Sequence, residues 1–581
     1  MSKTEWHAGP IVIASRSCEE PKQSARQSRR LSRLKPWKSV SGLAALALAL
    51  SLAVVTLTLV GTAEASPDNW YVDGALGTDD GTHGPGPGVE AFKTIQYAIN
   101  DSRVGAGDTI NVAAGTYHES AHAWVDIDIN KSLSLIGAGS SQTIVELNEY
   151  DNPSGSHMDG VLISASDVLI QGMKFTKKPE APYACGFNIR SFGPYNNITL
   201  RDVESEYSHG MNVCFGGLGS FQNVTLEDCN IHHGGERNFY ETPVTTIEVL
   251  TVTNCHFDNS GQKADWGNYP ANFDPVGFNL QGTTTDLTII GGTFNNNPSG
   301  GLGFEGTTNA TIEDVVVENS GTCSWDRCGI AVWDASANIQ IINPTVTSCG
   351  GQGILFGTWG QSVSNASVIG GTISGSGNHG VNVYSGGEGG SVQGITVDGA
   401  TITGSGSHNV EICEDDSCGD AAVSDVTIRR CTITDATSVG VDFYGVTNVA
   451  GSSVYCNNIV GNGETDTGVK NSGAGTLDAE NNWWGHASGP SGAGAGSGDA
   501  VSTNVDYDPW LPMEFQYCEE CGGTPPSPPP TPAPPEPTPP GAVGGEAYPV
   551  DKVLLAAPWL ALAALLVPGA VLLVRRRFQE R

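Results

Sequence analysis

The chain has 581 residues, of which 76 are Gly and 32 Pro, while only 15% are charged, and its formal net charge is −34. So much glycine with so little charge argues against a helical globule and for a long, thin architecture built on tight turns. A chain this acidic repels phosphate backbones, so nucleic acid is set aside as a partner and cations are favoured.

Residues 1–40 carry nine Lys/Arg against three acidic residues, and the stretch "GLAALALALSLAVVTLTLVG" from Gly42 to Gly61 contains no charge. It leads into Ala63-Glu64-Ala65, a small-x-small pattern that suits signal peptidase, so residues 1–65 are expected to be a secretory signal with a long basic leader. An uncleaved anchor is the competing reading, because the apolar run approaches the ~20 residues a membrane span requires. With the nine Lys/Arg of the leader and five of the tail set aside, residues 66–550 keep 14 Lys/Arg against 56 Asp/Glu, a net charge of −42.

Residues 66–131 precede the repeats, and in them Phe92, Ile95 and Ile99 fall on one side of a short helix. Residues 132–512 then repeat. "NITLRDV" (197), "NVTLEDCNI" (223), "VLTVTNCHF" (249), "DLTIIGGTF" (286), "ATIEDVVV" (310), "IQIINPTV" (339), "ASVIGGTI" (366), "ITVDGATI" (395) and "VTIRRCTI" (426) each alternate apolar residues, turn, and return to an apolar position. Most starts lie roughly 23 to 31 residues apart, with one longer gap where a loop is inserted, and a period of that size signals a solenoid. A second signature, glycine followed by alternation, recurs at Gly186, Gly210, Gly277, Gly301, Gly329, Gly353, Gly380 and Gly440. Two or three short strands per unit, with almost no helical period, predict stacked coils of parallel β-structure.

These repeats, the entry "YVDGALGTDDGTHG" with "GDTINVAAGTYHE", and the exit "NNWWGHASGPSG" with "VDYDPWLP" resemble the pectin-lyase-like superfamily over residues 70 to 512. The resemblance implies an all-β, right-handed parallel β-helix of roughly a dozen coils, with a cap helix at its start and Trp483, Trp484 and Trp510 closing its end. It also implies polysaccharide chemistry, by lyases that use Ca²⁺ with an arginine or lysine base, or by hydrolases that set carboxylates around the scissile bond. The arginine and aspartate patterns of pectate lyases and polygalacturonases are absent from this sequence. The favoured expectation is therefore a surface protein that binds polysaccharide, with a lyase or glycoside hydrolase, and a passive stalk, as the alternatives.

Three places carry candidate chemistry. Glu411 and Asp442 are expected on adjacent coils in one outward column, together with Asn188, Asn212, Asn279, Asn382 and Lys470. Such paired carboxylates call for a cation or a raised pKa, and with Glu414, Asp415 and Asp416 of the following loop Glu411 forms a candidate Ca²⁺ set. The other reading is a solvated acidic loop. Earlier, His233, Glu236 and Arg237, beside His232 and Glu241, offer acid, base and cation, and the inserted loop brings Trp266, Tyr269 and Phe273 as candidate sugar contacts. The competing reading is turn residues that bond locally. A second outward column, Glu305, Trp333, Tyr384 and Tyr444, with Asp334 and Trp359 beside it, forms either a lengthwise binding track or ordinary cross-coil bracing.

Of the 14 Cys, all but Cys18 lie in the exported part, and the x4 spacings of Cys323 with Cys328 and of Cys413 with Cys418 suggest two loop staples. Residues 513–550 hold a Cys pair and "PPSPPPTPAPPEPTPP", a semi-rigid spacer. Residues 551–581 contain an uncharged run from Val553 to Val574 that meets Arg575, Arg576 and Arg577, which predicts a membrane span with its tail in the cytoplasm. The body is thereby expected on the extracellular face of the cell membrane.

Overall fold

The computed structural model describes residues 68–515, apart from 122–123, 149–158, 182–183, 262–274, 322–327, 387–388, 415–421 and 464–466. Alternation with period two puts every second side chain inward, and the turn between alternating runs lets each coil lie on the one before it. The result is a parallel β-helix of about 13 turns. A 15-stranded sheet runs from Val125–Ile129 to Pro490–Gly492, one strand per coil in most of its length. A 20-stranded sheet carries the "NITLRDV"-type segments, and a six-stranded sheet collects the short returns from Val316–Glu318 to Asn458–Val460.

Because each coil presents the same position one strand spacing away, like residues stack. Ile189, Val213, Phe239, Phe278, Leu302, Ile330 and Ile354 are successive Cα partners along the 15-stranded sheet, all at most 1% exposed. Phe239 lies over Phe278 with ring centroids 4.4 Å apart, and Phe257 over Phe294 at 5.4 Å. The turns stack as well. Asn197, Asn223, Asn309, Asn338 and Asn365 all have positive φ, a conformation asparagine tolerates, and their amides link coil to coil, Asn223 Nδ2 donating to Asn197 Oδ1 at 2.9 Å.

The entry behaves as expected. Thr94 accepts from the Tyr97 N–H to start the helix Ile95–Asn100, and Glu119 accepts from the Ile95 and Gln96 amides at 2.9 and 3.0 Å. Phe92, Ile95, Ala98 and Ile99 are fully buried against the first coils. At the exit Trp484 is fully buried and Trp510 packs on the core, while Trp483 bridges to Asn458.

One expectation fails. Asn188 and Asn212 do not stand in the outward column of Asp442. They point inward with no exposure, pair with Asn238, and occupy the place that Gly277 takes in the next coil. Asn188 Nδ2 donates to Asn212 Oδ1 at 3.1 Å and Asn212 Nδ2 to Asn238 Oδ1 at 3.0 Å, and the same amides reach the carbonyls of Glu206, His232 and Asp258. An amide ladder satisfies itself inside the coil, so polarity alone did not require these residues to face water. Asn279, Asn382, Glu411, Asp442 and Lys470 do share the outward column.

Among the described residues no helix is long and apolar enough to cross a membrane. The leader, the Pro-rich segment and the run from Val553 to Val574 lie outside them. So do Cys323 and Cys418, one member of each expected staple. Cys456 is disulfide-bonded, whereas Cys185, Cys229, Cys255, Cys349 and Cys431 are buried free thiols that pack as small apolar groups.

Candidate functional site

The strands Val381–Ser385, Val410–Glu414, Val441–Tyr444 and Thr467–Asn471 follow one another in the 15-stranded sheet. Their register sets Asn382, Glu411, Asp442 and Lys470 side by side. Two carboxylates on adjacent strands repel unless they are compensated. Lys470 Nζ donates to Asp442 Oδ2 at 3.0 Å, and Asn382 Nδ2 donates to Glu411 Oε2 at 2.7 Å.

Two histidines complete the group. His379 and His408 stand at the same turn position of successive coils, two residues before Val381 and Val410, and their rings stack 5.3 Å apart at 3°. His379 Nε2 lies 2.9 Å from Glu411 Oε2, and His408 Nε2 lies 3.8 Å from Asp442 Oδ2. Burial pulls the His408 pKa down against the opposing pull of Asp442 and Glu411. Burial also works against ionisation of Glu411, but the hydrogen bond and charge of His379 outweigh it and hold the carboxyl below its ordinary range. Asp442 faces outward and is nonetheless only 2% exposed, and its Oδ1 has no hydrogen-bond partner.

Next to this cluster opens a pocket of about 170 Å³ whose walls include Trp333, Trp359, Tyr384, Asn382, His379 and Glu411. The aromatic column expected from sequence is present in register: Glu305 beside Trp333, then Gly357, Tyr384, Cys413 and Tyr444. Small residues between the large ones make room for the rings. A Cβ on Gly357 would sit 2.6 Å from Trp333 Cζ3. Trp333 and Trp359 stack at 6.4 Å and 19°, and Tyr384 meets Trp359 edge-on at 5.3 Å. Asp334 Oδ1 holds the turn that carries Trp359 by accepting from the Trp359 N–H at 2.9 Å and the Thr358 hydroxyl at 2.6 Å. Trp359 is 42% and Tyr444 55% exposed.

The other candidates part company. Glu414 lies on the opposite side of its strand from Glu411, and its two oxygens accept from the Val423 and Thr447 amides, both at 2.7 Å. The structure therefore separates Glu414 from Glu411, and Asp415 and Asp416 lie outside the described residues, as do Trp266, Tyr269 and Phe273. His233 sits at positive φ with its ring 5.1 Å from that of Tyr207, and burial lowers its pKa. Arg237 lies over the Tyr240 ring at 4.3 Å, and Glu236 is half-buried. Glu241 turns inward, is fully buried, accepts from the Thr284 hydroxyl at 3.1 Å, and has its pKa pushed up to about 8 by burial. His232 Nδ1 lies 2.6 Å from His233 Nδ1, and its Nε2 faces a group in which Lys174 Nζ lies 2.7 Å from both Glu204 and Glu206.

Reading by sequence missed His379 and His408. The signal was present: "GSGNHGVNV" from Gly375 and "GSGSHNVEI" from Gly404 place the histidines at one and the same repeat position, so they had to stack.

No protein-family model matches the chain, and no curated protein sequence does. Among solved structures the chain is similar to the A-module of a mannuronan C-5 epimerase from Azotobacter vinelandii, at 14% identity over 72% of this chain and 93% of that one, with a TM-score of 0.37. It is also similar to the Dettilon tailspike protein, at 11% identity over 60% of each chain and a TM-score of 0.34. A third is the catalytic unit of an α-1,3-glucanase from Streptomyces thermodiastaticus, at 12% identity over 60% of this chain and 66% of that one, with a TM-score of 0.35. These are likenesses of the β-helix, at identities too low to carry any residue's role across.

Proposed function

We propose that the outer face of the 15-stranded sheet binds polysaccharide, with the pocket between Trp333, Trp359, Tyr384 and Glu411 as its centre. The observation that carries this reading is the aromatic platform set beside a polar floor. Stacked indoles offer flat apolar surface to the CH faces of sugar rings, while Asn382, His379 and Glu411 offer hydrogen bonds to the hydroxyl rim. The column from Glu305 to Tyr444 spans several coils, which suits an extended chain better than a single sugar. The apolar leader, the Pro-rich spacer and the run from Val553 to Val574 support a secreted protein tethered to the cell membrane with this face outward.

A second reading is favoured by one further observation: His379 and Glu411 line the same pocket, and His408 and Asp442 lie beside them, the equipment of proton transfer. On that reading the protein is a polysaccharide lyase or glycoside hydrolase. The purified full chain, offered neutral and uronate polysaccharides, separates the two. Retention without new chain ends supports binding alone, and new chain ends that His408→Gln and Glu411→Gln abolish support catalysis. Silence across the panel rejects both and leaves a passive stalk, and retention that Trp359→Ala leaves untouched rejects this pocket as the site.

A further inference from the structure

The ligating atoms of His379, His408 and Glu411 all lie within 4.8 Å of one another, and His379 Nε2 is already 2.9 Å from Glu411 Oε2. Behind them the Asp442 side chain is only 2% exposed, one oxygen bonded to Lys470 and the other without a partner. Buried carboxylate oxygens are rarely left so, because an unpaired one forfeits its hydration with nothing in return. The histidines project from turns whose backbones are locked by coil-to-coil hydrogen bonds, Gly380 N–H to His408 O at 3.2 Å and Gly353 N–H to His379 O at 2.8 Å, so the donors are held in place before any ligand arrives.

We propose that His379, His408 and Glu411, with Asp442 beside them, form a site for a divalent ion of the zinc class. The donor set decides the class. Calcium and magnesium take oxygen ligands almost alone, whereas imidazole selects zinc, cobalt, nickel and their neighbours. Two imidazoles with one carboxylate is a common three-ligand set for zinc, and it leaves a coordination position open. His379 and Glu411 also line the pocket walled by Trp333, Trp359 and Tyr384. Lys470 is the competitor: its ammonium neutralises Asp442, 3.0 Å away, and opposes a second cation. The site stands on its own donors and does not depend on polysaccharide binding.

The test uses no sugar. The purified full chain, stripped with chelator, is titrated with Co²⁺ while the visible ligand-field bands and the heat are followed, and then with Zn²⁺. One Co²⁺ per chain is expected, displaced by Zn²⁺, with His379→Gln and His408→Gln each weakening binding by tenfold or more and Lys470→Met preserving or tightening it. Ca²⁺ should not compete. Absence of saturable binding below about millimolar metal by the wild type overturns the proposal. So does binding that both glutamine variants retain in full, or a thiolate charge-transfer band, which assigns the ion to cysteine. Should a variant misfold, the wild-type stoichiometry and spectrum still decide. Failure here leaves the polysaccharide reading standing, and retention by Trp359 and its neighbours is measured separately.

Discussion

Two outward clusters of this β-helix draw on the same kinds of side chain, lysine, carboxylate and histidine, and reach opposite states. In the early one, Lys174 lies 2.7 Å from Glu204 and from Glu206, and His232 adds contacts of 3.3 and 3.6 Å to the same carboxylates. The hydrogen bond from His232 and then the charge of Lys174 overcome burial and hold Glu204 down at about 2. Both carboxylates there have partners. In the later one, Lys470 reaches Asp442 alone, Glu411 leans on a histidine, and Asp442 Oδ1 and both histidine Nδ1 atoms are buried without partners. The first set closes on itself as a brace between coils; the second, beside an aromatic pocket, is left with donor capacity to spend on a ligand. Both set one lysine against two carboxylates, and what separates them is that Lys174 reaches both of its carboxylates whereas Lys470 reaches one.

Removing each lysine tests that contrast most directly. Lys174→Met leaves two partly buried carboxylates facing each other and is expected to destabilise the fold by about 3 kcal/mol in chemical denaturation. A loss below about 0.5 kcal/mol would end the claim that this cluster is a brace. Glu204 also sets a pH dependence. Its folded pKa is depressed, so its contribution is present above the ordinary carboxylate range and disappears as pH falls toward 2, and Glu204→Gln should flatten that acid limb.

A carboxylate turned inward gives the opposite sign. Glu241 titrates at about 8 in the fold, so its contribution is fully present below the ordinary glutamate value near 4.5 and is lost as pH rises through 8. Glu241→Gln is expected to leave stability at pH 4 unchanged and raise it by roughly 2 kcal/mol at pH 9. Equal stability of the two proteins at pH 9 would show that Glu241 is ionised at little cost.

On the open side of the comparison, Trp359→Ala should weaken polysaccharide retention about tenfold, close to 1.4 kcal/mol, with thermal unfolding unchanged because the ring is exposed. The smallest effect is expected from Lys470→Met, about 1 kcal/mol: it strands one buried carboxylate where Lys174→Met strands two, and His408 remains 3.8 Å from Asp442. A loss as large as that from Lys174 would make the two clusters equivalent and remove the contrast.

The repeat made most of the architecture legible before any coordinates. Alternation in "NITLRDV" and its successors, and the glycine before each "Gly-Φ-x-Φ" strand, placed Glu411, Asp442 and Lys470 in one column and Glu305, Trp333, Tyr384 and Tyr444 in the next. The same pattern put Asn188 and Asn212 outside, where they are not, because period two cannot tell an exposed amide from one that hydrogen-bonds to its copy in the neighbouring coil. It also grouped Glu414 with Glu411, although three residues along a strand is an odd step and sets side chains on opposite faces. The paired histidines could have been found by aligning the turns as carefully as the strands.

The sequence by itself determined the solenoid, its entry helix, its aromatic column and its charge, because each depends on residues a fixed number of positions apart. Tertiary structure alone decided that His379 reaches Glu411 while Lys174 closes the other cluster. These contacts join residues about 30 positions apart across the gap between coils, where a turn's local path and the reach of one side chain set which atoms meet, and the repeat period carries no record of either.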